Sequence, residues 1–225
     1  MGKYIGKFVV TFALVAVFGF LVTYCFQFGT TQSETATGSP YLVLVNKTHE
    51  LPSGWENKIK LDKVENSLGE TIVIEHETYT SFIKLREELL ARGIQIELDS
   101  VYRSVEDQKE TKQWFLENYG EEYTSQYVAE PGFSEHHTGL AIDVFIMRGD
   151  EQIRDNDDMI ADTEDFEIIH QLLPKHGFIL RYLKGKEDIT GYNYEPWHFR
   201  YVANPTIAQE ITEQGITLEE YLGEF

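Results

Sequence analysis

Between Phe8 and Phe28 the chain carries no charged residue, and this stretch separates the N-terminus from everything that can build a water-soluble core. About 20 apolar residues are what a helix needs to cross the hydrocarbon of a bilayer, whereas signal-peptide cores run to about 7–15. Lys3 and Lys7 precede the run, no basic residue follows it directly, and the polar Gly29–Ser39 stretch offers no convincing small-x-small cleavage site. The bias of basic residues toward the cytoplasmic side then leaves the N-terminus inside and the rest outside. The expected organisation is a cytoplasmic end and transmembrane helix over residues 1–28, a flexible linker over 29–40, and an extracytoplasmic domain over 41–225. The corresponding location is the cell membrane, crossed once.

The remaining residues must fold without disulfides, because the single cysteine, Cys25, lies inside the apolar run. Thiol catalysis is excluded on the same ground. A chain of 225 residues that is 42% hydrophobic and 13% aromatic has enough apolar surface for one ordinary core. A net charge of -19 argues against nucleic acid, which is bound through a basic footprint that displaces counterions. No period of 20–50 residues indicates a repeat array.

Local patterning mixes helix and strand. Phe82, Leu85, Leu89 and Leu90 recur at helical spacing within Tyr79–Arg92, and Gly93 supplies a stop. Ile94, Ile96 and Leu98 alternate as in a half-buried strand leading to Ser100 and Arg103. Ser104 with Asp107 reads as a capping box opening a helix through Tyr119, with Trp114 and Phe115 on its apolar side. Leu140–Ile146 alternates again, placing Leu140, Ile142 and Val144 on one face and Ala141, Asp143 and Phe145 on the other. Asp162–His176 is amphipathic and ends at Gly177, and further helical pieces follow Asn204 and Thr217. Without a steady βαβ alternation, this order predicts an α+β domain with a small, largely antiparallel sheet and flanking helices.

Two segments about fifty residues apart carry the chemistry: Ser134-Glu135-His136-His137-Thr138-Gly139-Leu140-Ala141-Ile142-Asp143 and Glu195-Pro196-Trp197-His198. A catalytic zinc takes three ligands from His, Asp or Glu, keeps one position open, and works beside a carboxylate that does not bind it. Asp143 sits on a strand, where its charge is costly to bury unless a cation or donors face it. Pro196 biases Glu195 away from helix, so the Glu-x-x-His spacing is not that of a helical zinc motif. Over Trp197–Val202 a strand would put His198 and Arg200 on one face. Periodicity leaves open whether His136 or His137 is the ligand. A lone histidine, or an aspartate on a strand, is more often structural, and the combination is what points to a metal.

The two segments resemble the Ser-x-His-x-x-Gly-x-Ala-x-Asp and Glu-x-x-His motifs of the VanY-type D-alanyl-D-alanine carboxypeptidases, which belong with the lysostaphin-like and hedgehog-like metallopeptidases. The likeness extends to Ser100-Val101-Tyr102-Arg103-Ser104 with Gln108, to Gly177-Phe178-Ile179-Leu180-Arg181-Tyr182 and to Ile189-Thr190-Gly191-Tyr192, covering roughly residues 80–222. The resemblance implies one zinc held by His136, Asp143 and His198, Glu195 as general base, and Arg103 as catalytic and substrate-binding arginine. Gln108 and Ser134 resemble positions that contact the bound peptide's end, while His137 is left out. Val101 stands where relatives usually carry Gly, which bears on the placement of Arg103.

The implied reaction removes a C-terminal D-alanine from peptidoglycan stem peptides, of D,D or L,D type, in cell-wall maturation. Glu195 would move the proton, and Arg103, Arg181 and Arg200 are candidates to hold the terminal carboxylate through their forked donors. The chain is expected to act as a monomer. An endopeptidase with the same metal site and a longer groove is the alternative, and a non-catalytic wall-binding module is a weaker one because Glu195 is present.

Overall fold

In the computed structural model, which describes residues 38–66 and 68–225, the first two strands form a hairpin that the patterning above did not pick out. β1 (Leu61–Glu65) pairs antiparallel with β2 (Thr71–Glu75). The turn is held by the Asn66 side chain, whose Oδ1 accepts from the amides of Leu68 at 3.0 Å and Glu70 at 2.9 Å. Asparagine is suited to this because its side chain stands in for a turn of backbone.

β2 runs directly into α1 (His76–Leu90), which begins three residues earlier than its apolar period suggested. The Glu75 carboxylate is the reason: it accepts from the Thr78 amide at 2.8 Å and so caps the helix. Phe82, Leu85 and Leu89 face the core as expected, whereas Leu90 is 56% exposed. The chain leaves the helix through Gly93, whose φ of 86° is a left-handed conformation.

The main sheet contains β3 (Gln95–Ser100), β4 (Ala141–Arg148), β5 (Glu151–Ile153), β6 (Phe178–Leu180) and β7 (His198–Tyr201). Its order is β3-β4-β7-β6, with β5 paired to β4, and every neighbouring pair is antiparallel. This is the α+β architecture the sequence order implied. Ile142 and Val144 on one face of β4, and Ala141 and Phe145 on the other, are fully buried. A large-to-small change at such a site costs about 2–5 kcal/mol.

The capping box of Ser104 and Asp107 opens α2 (Val105–Tyr127), which continues past the expected end at Tyr119 after a break at Gly120, φ 81° and ψ 174°. Its aromatic side is not core. Trp114 and Tyr119 are each 51% exposed, and Phe115, Tyr119, Tyr123 and Tyr127 form a run of ring contacts along the helix. α3 (Asn156–Ala161) and α4 (Thr163–Leu172) follow, the latter burying Phe166 and Ile169. α4 stops short of His176 because Pro174 cannot continue an α-helical ladder, and a 3-10 turn, Pro174–His176, completes the segment. The short α5 (Glu187–Thr190) lies between β6 and β7. α6 (Pro205–Gln214), capped by Asn204, and α7 (Leu218–Leu222), capped by Thr217 and Glu220, are the helices expected near the C-terminus.

Val43–Phe225 forms one compact unit. The transmembrane helix expected over residues 8–28 lies outside the described residues. Among the described residues no helix is long and apolar enough to cross a membrane; the longest, α2, is strongly charged. The single-pass, membrane-anchored location expected above is therefore withdrawn.

Candidate metal centre

Strand register brings the first two ligands together. Asp143 on β4 and His198 on β7 are direct cross-strand partners, so their side chains leave the sheet on the same face. His198 Nδ1 lies 2.9 Å from Asp143 Oδ1. The third comes from the 3-10 turn Glu135–Thr138 that feeds β4: His136 Nε2 lies 3.1 Å from Asp143 Oδ2. That turn closes on Gly139, φ 72°, where an added Cβ would meet Leu61 Cδ2 at 3.0 Å and Glu75 Cβ at 3.3 Å. The glycine of the motif is thus required twice, by its backbone conformation and by close packing. The candidate ligand atoms of His136, Asp143 and His198 all lie within 4.8 Å of one another, a grouping able to hold a metal ion.

The adjacent histidines are placed differently, and only His136 joins the group that could hold a metal ion. His136 Nδ1 lies 2.8 Å from the Val101 carbonyl, an acceptor only, so Nδ1 carries the hydrogen and Nε2 is left for a metal. His137 uses both ring nitrogens on backbone: Nε2 accepts from the Gly132 amide at 3.0 Å, and Nδ1 donates to the Arg103 carbonyl at 2.7 Å. Burial lowers the pKa of both rings.

Behind His198 stands a carboxylate that sequence reasoning did not assign. Glu135 Oε2 is 3.6 Å from His198 Nε2, while Oε1 accepts from Arg181 Nε at 2.8 Å and Arg200 Nη1 at 2.6 Å. Burial opposes the Glu135 charge, but the two guanidinium groups overcome it and hold the carboxyl well below its usual range. An outer carboxylate of this kind orients a ligating imidazole. Its only signal in the sequence was an acid between Ser134 and His136.

The donor set fits a zinc ion on the structure's own evidence. Asp143 Oδ1 is a buried atom without a hydrogen-bond partner, even though it approaches the His198 ring closely. Burial would raise Asp143, but His136 and His198 pull it far below the usual carboxylate range. Burial would lower His198, but Asp143 in particular raises it to about 10. Two imidazoles and a carboxylate around one point match the ligand types of a three-ligand zinc site.

Glu195 lies beside this cluster, with Oε2 3.5 Å from His198 Nδ1. The Glu195–His198 segment is a turn, closed by the His198 amide on the Glu195 carbonyl at 3.3 Å, and is not helical. His170 Nε2 donates to the Pro196 carbonyl at 2.8 Å and steadies it. Burial pushes the Glu195 carboxyl up to about 8, with Asp143 adding to the effect against the pull of His198 and Arg103. Such a value suits a proton carrier near neutral pH.

Arg103 approaches from the His136 side, where its amide donates to the His136 carbonyl at 3.1 Å. Its guanidinium donates to Gln108 Oε1 at 2.9 Å and Ser100 Oγ at 2.6 Å. The register shift between Leu98 and Ser100 in β3 turns Ser100 toward this point. Gln108 also donates to the Ala129 carbonyl at 2.9 Å, so its amide is anchored at both ends. Ser134 Oγ accepts from the His136 amide at 3.3 Å, capping the turn that carries His136. Val101 in place of glycine is accommodated, because Ala203 is the one non-glycine with positive φ among the described residues.

Arg103, Gln108, Ser134, His136, Asp143, Glu195 and His198 all line one cavity of about 190 Å³. Arg181 does not, and the expectation that it binds substrate is corrected. It is 0% exposed, with its guanidinium spent on Glu135 and, through Nη1 and Nη2, on the two oxygens of Glu219 at 2.9 and 2.6 Å. Arg200 is likewise interior, donating to Glu135 and to the Val43 carbonyl. Alternation along β6 and β7 does not reveal these pairings, because their acids come from a turn and a helix distant in the chain.

Two histidines and one aspartate around an open position, with a carboxylate of raised pKa alongside, are the fittings of a metallohydrolase. A model of the VanY family, described as D-alanyl-D-alanine carboxypeptidase, matches residues 71–204, and the chain belongs to this family. It is 37% identical over 189 residues to a bifunctional D-Ala-D-Ala dipeptidase and D-Ala-D-Ala carboxypeptidase of Enterococcus gallinarum, a match covering 80% of this chain and 92% of that protein. Among solved structures, a mutant of a vancomycin-resistance D,D-pentapeptidase of the VanY type in complex with Zn(II) superposes with a TM-score of 0.68 at 30% identity, covering 82% of this chain and 99% of that one. The LdcB LD-carboxypeptidase superposes with a TM-score of 0.66 at 34% identity, covering 82% and 86%.

Proposed function

We propose that this chain is a zinc-dependent carboxypeptidase that hydrolyses the C-terminal D-alanine from peptidoglycan stem peptides. The observation that carries this is the placement of Glu195, with its raised pKa, against a three-ligand cluster and opposite the anchored guanidinium of Arg103, in one cavity. His136 Nε2, Asp143 and His198 Nδ1 would hold one zinc ion. When bound there, zinc supplies Lewis acidity that polarises the scissile carbonyl and activates a water molecule.

Glu195 takes the proton released in the attack and returns it to the leaving amine, so its carboxyl must be able to hold a proton near neutral pH. Arg103 supplies positive charge to the substrate's terminal carboxylate or to the oxyanion that develops at the carbonyl. Gln108 and Ser100 hold that guanidinium, and Ser134 shapes the turn carrying His136, with its hydroxyl facing the same cavity. No side chain is asked to form a covalent intermediate.

Incubating the zinc-loaded protein with synthetic pentapeptide and tetrapeptide stems and weighing the products tests the reading. Loss of one terminal D-alanine from the pentapeptide marks the D,D reaction, and loss from the tetrapeptide marks the L,D reaction. Cleavage at internal bonds instead would establish the endopeptidase alternative.

A further inference from the structure

Among the described residues, four buried side-chain polar atoms have no hydrogen-bond partner: Glu135 Oε2, Asp143 Oδ1, His198 Nε2 and the Tyr192 hydroxyl. All four residues line the same cavity. Buried polar groups are nearly always paired, and an unpaired one costs about 1–3 kcal/mol, so each needs a reason. The metal centre and its outer carboxylate account for the first three. Tyr192 stands outside that account.

Its ring is firmly placed. Tyr192 is only 3% exposed and follows Gly191, φ 78°, at the end of α5. An added Cβ at Gly191 would meet Lys47 Cδ at 2.9 Å. Lys47 Nζ donates to the Ser125 carbonyl at 2.7 Å and to the Gly191 carbonyl, and stands 4.5 Å from the Tyr192 ring centre. The ring also packs 4.9 Å from Tyr182, which in turn packs 4.7 Å from His198. The phenol is thus braced through its ring, while its oxygen is left unengaged. Burial holds its pKa well above the usual phenol value, with Glu195 adding to the effect, so the group remains an O–H donor.

Position separates this donor from Arg103. Arg103 is tied through its backbone to His136, whereas Tyr192 is connected through Tyr182 to His198. Tyr192 and Val128 also line a second cavity, together with Lys47 and Lys112, in which Arg103 and Gln108 take no part. The substrate's terminal carboxylate belongs on the Arg103 side, and the rest of the peptide must leave the site by another way.

We infer that the Tyr192 hydroxyl is a substrate-binding donor that hydrogen-bonds a peptide carbonyl on the acyl side of the scissile bond, where the chain passes toward the second cavity. This rests on the carboxypeptidase reading above. Tyr192→Phe removes only the unpaired oxygen. It should leave zinc affinity, measured by chelator competition, unchanged, and the thermal midpoint unchanged or higher. kcat/KM on the stem peptide should fall about tenfold, the worth of one hydrogen bond at the upper end of its range. As competitive inhibitor, the shortened peptide product should bind about tenfold more weakly, while free D-alanine should bind as before.

Unchanged kcat/KM and unchanged product inhibition would overturn the inference, as would a weakening confined to D-alanine. A clear drop in the thermal midpoint would also overturn it, by showing that the hydroxyl has a partner within the fold. Calorimetric binding of the stem peptide to zinc-loaded Glu195→Gln, with and without Tyr192→Phe, judges the tyrosine separately from turnover. If the wild-type protein releases no D-alanine, the functional reading fails, and this binding comparison still decides the role of Tyr192.

Discussion

Two clusters of buried charge meet at Glu135, and their atoms are satisfied very differently. On the interior side, the Arg181 and Arg200 guanidinium groups and the Glu219 carboxylate are matched at 2.6–2.9 Å by Glu135, by one another and by backbone. On the cleft side, Asp143 Oδ1 is buried and unpaired, and Glu195 is pushed up to about 8. A buried charge that already has its partners is scaffold, and removing one partner strands the other in low dielectric. Buried polar atoms left without partners are arranged for something that arrives. Residue type does not separate the two clusters, since both are built from acids and bases, whereas hydrogen-bond satisfaction does.

The largest effect expected from breaking this distinction is at His136. His136→Ala removes a ligand from the cleft cluster and should abolish both zinc binding, measured by metal analysis after dialysis, and D-alanine release. Retention of stoichiometric zinc would mean that the ligand set is wrong. Next is Arg103→Ala, expected to lower kcat/KM by about 10²–10³ with zinc content unchanged, the scale for losing an oxyanion partner. An effect confined to zinc content would instead make Arg103 part of the scaffold.

Arg181→Ala tests the other side. It leaves the Glu219 charge without its cation, with Asn46 as its remaining side-chain donor, removes one contact of Glu135, and should destabilise the fold by about 3–5 kcal/mol in urea unfolding. A stable Arg181→Ala variant with a raised KM would return Arg181 to the substrate-binding role. The smallest effect is expected at His137: His137→Ala strands the Gly132 amide and the Arg103 carbonyl, costing about 1–3 kcal/mol, and should keep the zinc. Loss of the metal there would exchange the roles of the two histidines.

Much of this architecture was legible in the sequence, and the physical reasons for what was not are specific. Ser104 with Asp107, Asn204 and Thr217 announce helix starts by local hydrogen bonds, and Phe82, Leu85 and Leu89 by a period that burial enforces. The candidate metal-binding group was legible because a strand aspartate and two histidine-bearing motifs make little sense singly. The β1–β2 hairpin does not stand out because each strand is only five residues long and Ile72-Val73-Ile74 is a continuous apolar run instead of an alternation, and its decisive signal is one asparagine side chain closing a turn. Trp114 and Tyr119 have the composition of a core face, yet α2 presents them to solvent. Arg181 was misread because a long cation near catalytic motifs looks like a carboxylate receptor. Its real partners, Glu135 and Glu219, are 46 and 38 positions away in the chain. His136 reaches Asp143 with one ring nitrogen whereas His137 spends both on backbone, a difference no periodicity encodes.

The central claim is that the metal and the proton carrier are separate parts of the cleft cluster, and Glu195→Gln tests it most directly. The amide keeps the size of the carboxylate but cannot accept a proton. The zinc-loaded variant should bind zinc and the stem peptide as the wild type does, while turnover, followed by mass spectrometry of released D-alanine, falls by about 10²–10⁴. Near-normal turnover with zinc in place would contradict the account and require a different group to carry the proton.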